Sequence, residues 1–254
     1  MGTHPWPGKE KGCQGGLRRM IETGQAFYGQ HIGILVFSTK TPRIPGDAGN
    51  GESFSYQVRY EIVEGGFADL ITGSDRIKAA ILKAGQNLAR LGIRAIIGDC
   101  GMMSLYQDCL GKELGVLFAG SSLCLIPTVW QLIGRHGAIG IITGHSKLLG
   151  KQHLINSGWN EDMEISIQGM EDEKHFHEIV IDGGLHLNRE AMLKDVLEAG
   201  RKLREKTPGL RAVIFECSNL ATYSSALAEE LRIPVFDTIS AANLLEYSVH
   251  PPRY

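Results

Sequence analysis

Part of this chain occurs twice, and that repeat limits its fold more than any other feature. Residues 94–114 read RAIIGDCGMMSLYQDCLGKEL and residues 211–231 read RAVIFECSNLATYSSALAEEL. They align at an offset of 117 without a gap, and eight of the 21 positions are identical: Arg, Ala, Ile, Cys, Tyr, Leu, Glu and Leu. Asp99 and Glu216 add an acidic match, and Ile32-Gly-Ile-Leu35 is echoed by Ile139-Gly-Ile-Ile142. Core packing explains matched Ile and Leu in any two strand–helix units. It does not explain an aligned Arg, acid, Cys and Tyr. A duplicated chain implies two similar halves, and 254 residues suffice for each half to hold a core.

The order of elements gives those halves a class. Residues 32–37 are short, apolar and β-branched, as a strand covered on both faces is. Ser74 or Asp75 caps a helix to about Leu91, with Ile77, Ile81, Ala84 and Leu88 at helical spacing and Gly92 as its stop. Further strands read at 93–98, 116–119, 138–143, 211–215 and 234–236, and helices at about 103–114, 123–135, 147–156, 189–206, 221–231 and 240–247. The stretch 158–188 reads as two short strands, 163–168 and 178–181. This alternation predicts an α/β protein of two pseudo-symmetric flavodoxin-like domains with parallel sheets and a site in the cleft between them. Residues 25–136 form the half carrying Cys100, and 137–254 the half carrying Cys217, with the last helix returning to the first half. Gly- and Pro-rich residues 1–24 read as a flexible N-terminal extension. A TIM barrel would show an eightfold period that is absent.

Composition narrows the function. With 26 Lys+Arg against 28 Asp+Glu there is no electrostatic footprint for nucleic acid, and no apolar run is long enough for a membrane span. Five cysteines, an odd number without a CxxC pair, and the lack of a signal-peptide pattern point to a reducing cytoplasm. His175, His177 and His186 lack a recognisable third ligand spacing, and Gly183-Gly184 is too weak for a phosphate loop, so neither metal nor cofactor is expected.

Cys100 and Cys217 each follow a strand's carboxyl end, where a parallel sheet presents its ligand site. Facing each other about a pseudo-twofold axis, they would flank one carbon. One thiolate would remove the Cα proton and the opposite thiol would deliver one to the other face. Cys13, Cys109 and Cys124 read as small buried hydrophobes. Asp99 and Glu216 either sit beside the thiols or, through strand alternation, point away.

At this point the chain resembles the aspartate/glutamate/hydantoin racemase superfamily, over about residues 25–250. The motifs are the strand at 32–37, TPRIPGDAGN at 41–50, GDCG at 98–101, AGSSL at 119–123, IITG at 141–144, FECSNLATYSSAL at 215–227 and IPVFDT at 233–238. The resemblance implies PLP-independent racemisation or epimerisation of an amino acid, an acidic one first, with Cys100 and Cys217 as acid and base, in a homodimer or larger homo-oligomer. A hydantoin racemase and a maleate isomerase-like enzyme are the alternatives. Glutamate racemases carry Cys-Asn-Thr and Cys-Thr-His where this chain has Cys100-Gly101-Met102 and Cys217-Ser218-Asn219, which points away from glutamate. Ser38, Ser121, Ser122, Thr143, Ser218 and Asn219 lie past strand ends, where they either hold a substrate carboxylate or cap helices, and Arg43 either clamps that carboxylate or makes an ion pair. A small-molecule binding protein without turnover is the alternative of another class.

Overall fold

Two four-stranded parallel sheets with the same strand order divide the computed structural model, which describes residues 27–253. The 1–24 extension lies outside the described residues. The first half contains β1 (Ile32–Phe37), β2 (Val58–Val63), α1 (Phe67–Thr72), α2 (Asp75–Arg90), β3 (Ala95–Gly98), α3 (Gln107–Glu113), β4 (Leu117–Ala119) and α4 (Ile126–Leu132). The second contains β5 (Ala138–Thr143), α5 (Lys151–Asn156), β6 (Glu164–Gly169), α6 (Lys174–Phe176), α7 (Arg189–Lys206), β7 (Leu210–Phe215), α8 (Ser224–Leu231), β8 (Val235–Phe236) and α9 (Thr238–Val249). The strand orders are β2-β1-β3-β4 and β6-β5-β7-β8, so the repeat seen in sequence is a repeat of topology: two flavodoxin-like domains.

Local chemistry explains the elements that frame the cleft. Ser74 Oγ accepts from the Ile77 N–H and starts α2, a cap worth about 1 kcal/mol, and Ile77, Ile81, Ala84 and Leu88 form its buried stripe. Side chains alternate across β5 and β7. Ile139, Ile141, Ala212 and Ile214 join the core of the first half, while Ile142, Val213 and Phe215 face Met192, Val196, Ala199 and Leu203 of α7. The halves therefore share a core. Helix α9 packs on β3 and β1 of the first sheet, and Arg94, at the start of β3, donates to the Val249 carbonyl at its end.

Among the elements that differ from the sequence expectation, two show a physical reason. Residues 178–181 are not a strand: His177–Ile181 form a π-helical turn continuing α6. Phe176 and Ile179, three residues apart, point to the same core, which suits a helix, and Asp195 accepts the N–H groups of His175 and Phe176 at 2.7 and 2.9 Å. The strand β2 was not anticipated. It is a sheet edge whose VRYEIV pattern is half-buried, without the continuous apolar run of its neighbours. Among the described residues no helix is long and apolar enough to cross a membrane.

Candidate active site

The two thiols meet where the repeats meet. After β3 and after β7 the chain passes through one acid and one Cys, then enters a six-residue 3-10 turn, Gly101–Tyr106 or Ser218–Tyr223. The N–H groups of Asp99 and Glu216 continue the two sheets in the same way, donating to Leu35 at 3.0 Å and Ile142 at 2.9 Å. One residue further on, Cys100 and Cys217 have extended backbones and pair with each other in an isolated antiparallel bridge. The pair thus lies on the pseudo-twofold axis, at the carboxyl edge of both sheets.

The preceding acids treat their halves differently. Asp99 accepts from Arg43 Nη2 at 2.8 Å. Among the described residues Glu216 has no guanidinium partner; it accepts from Thr143 Oγ1 at 2.8 Å and the Gly144 N–H at 3.3 Å. The Glu216 carboxyl lies against Gly101, where a Cβ would overlap it, so any larger residue after the first thiol would have to displace that carboxyl.

Arg43 comes from an arm, residues 38–53, that leaves β1 and crosses to the second half. Its Nη1 donates to Asp47 Oδ1 at 2.8 Å, and that oxygen also accepts the Gly49 N–H at 2.6 Å. Asp47 Oδ2 accepts from Asn219 Nδ2 at 2.6 Å, and Asn219 Oδ1 accepts the Cys217 thiol at 3.5 Å. A relay therefore runs from Asp99 through Arg43, Asp47 and Asn219 to Cys217. The arm is seated by Thr222 Oγ1, which donates to the Pro45 carbonyl at 3.1 Å. Gly46, at φ +104°, allows the approach: a Cβ there would lie 2.5 Å from Thr222 Cα.

Electrostatics keeps both thiols protonated at rest. Burial, then Glu216 and Asp99, push Cys100 well above the usual thiol range. Burial and Glu216 push Cys217 up as well, but the Asn219 backbone and Arg43 act in the opposite direction. Burial raises Glu216, and lifts Asp99 up to about 6 against the pull of Arg43. Of the three buried carboxyls around the thiols, Asp47 and Asp99 share the Arg43 guanidinium and Glu216 is held by Thr143 and Gly144.

The candidates of the sequence reading separate here. Cys100, Cys217, Asn219 and Arg43 come together, with Thr143 on Glu216 beside them. Arg43 is committed to two acids. Ser122 Oγ donates across the halves to the Phe215 carbonyl at 2.6 Å. Ser121 Oγ accepts from the Leu123 N–H at 3.1 Å, which is a cap. Ser218 is buried next to Cys217, and Ser38 is exposed past β1. Cys109 donates to the Tyr106 carbonyl at 3.2 Å and Cys124 is pushed up to about 12 by burial, so neither joins the pair. The histidines 175 and 177 are tied into local structure, at 2.8 Å from the Asn188 N–H and 2.7 Å from the Glu171 carbonyl. Sequence reasoning missed the link between Asp47 and Asn219, which are 172 residues apart.

The fold is shared with solved racemases and decarboxylases, and the cleft of this chain holds a pair of thiols. Allantoin racemase from Klebsiella pneumoniae superposes with a TM-score of 0.57 at 15% identity, covering 87% of each chain. Unliganded arylmalonate decarboxylase superposes at 0.59 and 10% identity, covering 88% of this chain and 94% of that one. No protein-family model matches. By sequence the chain is 27% identical over 235 residues to dimethylsulfoniopropionate lyase 7 of Emiliania huxleyi, spanning 88% of this chain and 68% of that protein. Dimethylsulfoniopropionate lyase 6 of the same organism is also 27% identical, the match spanning 61% of its length. A dimethylsulfoniopropionate lyase of Durusdinium sp. clade D is 26% identical, spanning 88% of this chain and 76% of its own. These relatives overturn the expectation of an amino-acid racemase working by two-base inversion between Cys100 and Cys217. They are lyases, and the racemase resemblance is one of fold.

Proposed function

We propose that this protein is a carbon–sulfur lyase of dimethylsulfonio carboxylates, with Cys217 as the base. Such a reaction begins like racemisation, by removal of a proton from the carbon next to a carboxylate. The C–H electron pair becomes the second bond of Cα=Cβ, the Cβ–S bond breaks, and dimethyl sulfide departs with the C–S bonding pair, leaving an acrylate. The leaving group is neutral and needs no proton, so one base suffices.

The observation that carries this reading is the asymmetry between the thiols, seen beside the sequence relationship to lyases. Arg43 and the Asn219 backbone favour the Cys217 thiolate against Glu216 and Asp47, whereas Cys100 faces Glu216 and Asp99 with the Met102 backbone in its favour but not Arg43. The charge of the cleft supports the same class of substrate. Arg43 is occupied by Asp47 and Asp99, and among the described residues Glu216 lacks a cation. A site with an excess of buried carboxyls receives a sulfonium more readily than a second carboxylate without one. The arriving cation also favours the Cys217 thiolate, so the base forms when substrate binds. In this account Cys100 stays a thiol and donates toward the carboxylate as charge develops on it.

The test is to incubate the purified protein with dimethylsulfoniopropionate and follow dimethyl sulfide by gas chromatography and acrylate by NMR. Equimolar release of both, lost in Cys217→Ser, is expected. Exchange of the Cα proton with solvent deuterium without release of sulfide would overturn the assignment.

A further inference from the structure

We propose that a divalent transition-metal cation, zinc in the first instance, binds between the halves at His31, Glu246 and His250, at the edge of the first sheet where β1 begins. His31 immediately precedes β1, and Glu246 and His250 lie one helical turn apart at the end of α9, the helix that the second half lays on the first. Glu246 Oε1 is 3.7 Å from His31 Nδ1 and 3.1 Å from His250 Nδ1, and the three ligand atoms lie within 4.8 Å of one another. Tetrahedral zinc with bonds of about 2.0–2.1 Å needs ligand atoms roughly 3.3 Å apart, so the trio requires only small adjustments. The two imidazoles already lie together, their ring centroids 4.2 Å apart.

A hydrogen-bonded surface cluster would account for Glu246 Oε1 alone. It leaves the other oxygen, Oε2, sealed from solvent and without a hydrogen-bond partner among the described residues. A buried carboxylate oxygen in that position costs stability unless something satisfies it, and a cation shared with Oε1 does so. Nitrogen and carboxylate donors on two histidines and one glutamate suit zinc, or cobalt and nickel as probes, rather than calcium or magnesium. His250 is well exposed, which gives the ion a path in, whereas Glu246 is mostly covered. Because His31 belongs to one half and the other ligands to a helix of the second half, the ion would act as a staple holding α9 on β1. The site is remote from the thiol cleft in the fold: it lies at the strand's amino end, and the thiols lie past the carboxyl ends.

The experiment uses tag-free full-length protein, stripped with chelator and dialysed, and titrated with zinc chloride by calorimetry. One zinc per chain is expected, with affinity falling at least tenfold in Glu246→Gln and in His250→Ala. Melting temperature should rise by roughly 5–11 °C at a hundredfold excess over Kd in the parent protein and not in either variant. Cobalt substitution separates this site from the cysteines, because N/O ligation gives ligand-field bands without the sulfur-to-metal charge-transfer band. Circular dichroism of Glu246→Gln verifies its fold. No zinc uptake, uptake unchanged in both variants, or a thiolate charge-transfer band at the first equivalent would each overturn the proposal.

Discussion

Replacing Asp47 by Asn tests the relay that links the arm to the second thiol. Asp47 is 1% exposed and accepts three donors: Arg43 Nη1 and the Gly49 N–H on Oδ1, and Asn219 Nδ2 on Oδ2. In Asp47→Asn the amide oxygen keeps the first two and the NH2 group then faces the NH2 of Asn219. Two donors cannot pair, so Asn219 turns its amide over and offers its oxygen to residue 47. Its own NH2 then points at Cys217 in place of the oxygen that accepted the thiol. A donor favours the thiolate, and a hydrogen bond to a charged group is worth about 1.5–3 kcal/mol. At 1.36 kcal/mol per unit, Cys217 is expected to fall by about 1–2 pKa units, helped by the loss of the Asp47 charge. Stability should also fall, by about 3 kcal/mol, the low end for a broken buried ion pair because Arg43 keeps Asp99; for a chain of this size that lowers Tm by roughly 6–12 °C. The assay is the pH dependence of iodoacetamide alkylation, mapped to Cys217 by mass spectrometry, beside thermal melts. A Cys217 alkylation profile identical to the parent's would refute the relay.

Other consequences can be measured alongside. Because burial and Glu216 hold Cys217 in the thiol form, kcat/KM for sulfonium elimination should climb about tenfold per pH unit from pH 7 to 9, and a profile that is flat there would contradict a thiolate base. Burial lifts Asp99 from the ordinary aspartate range up to about 6, so the folded state holds its proton more tightly; the favourable contribution is complete below about pH 4 and lost as pH rises through 6. The stability of the parent minus that of Asp99→Asn should therefore drop by up to about 3 kcal/mol between pH 4 and 6 in urea titrations. Gly101→Ala should displace the Glu216 carboxyl and break its bond to Thr143, costing about 2–4 kcal/mol in the same titrations, whereas Gly51→Ala, where a Cβ meets nothing, should cost under about 0.5 kcal/mol.

What could be read from the sequence was what the duplication encodes. The aligned Cys after two aligned strands led to two like sheets, and the topology carries that repeat, down to matched N–H bonds at Asp99 and Glu216. Three things escaped. The Asp47–Asn219 contact joins residues far apart in the chain, and neither has a spacing signal, so only the crossing of the arm reveals it. The orientation of Asp99 and Glu216 was open because a residue beside a strand end can face either side; Arg43 and Thr143 decide it. The reaction itself was misjudged for a chemical reason. Abstraction of a proton next to a carboxylate is common to inversion and elimination, so a pair of thiols on this fold does not tell them apart, and the proteins this chain is similar to in sequence are lyases.

The division of labour between the thiols is the centre of this account, and single-thiol variants measure it directly. Steady-state release of dimethyl sulfide by Cys217→Ser should fall at least a thousandfold, while Cys100→Ser, which keeps a hydroxyl donor, should lose less than about a hundredfold. Equal collapse of both variants, or survival of activity in Cys217→Ser, would contradict a mechanism with Cys217 as its one base.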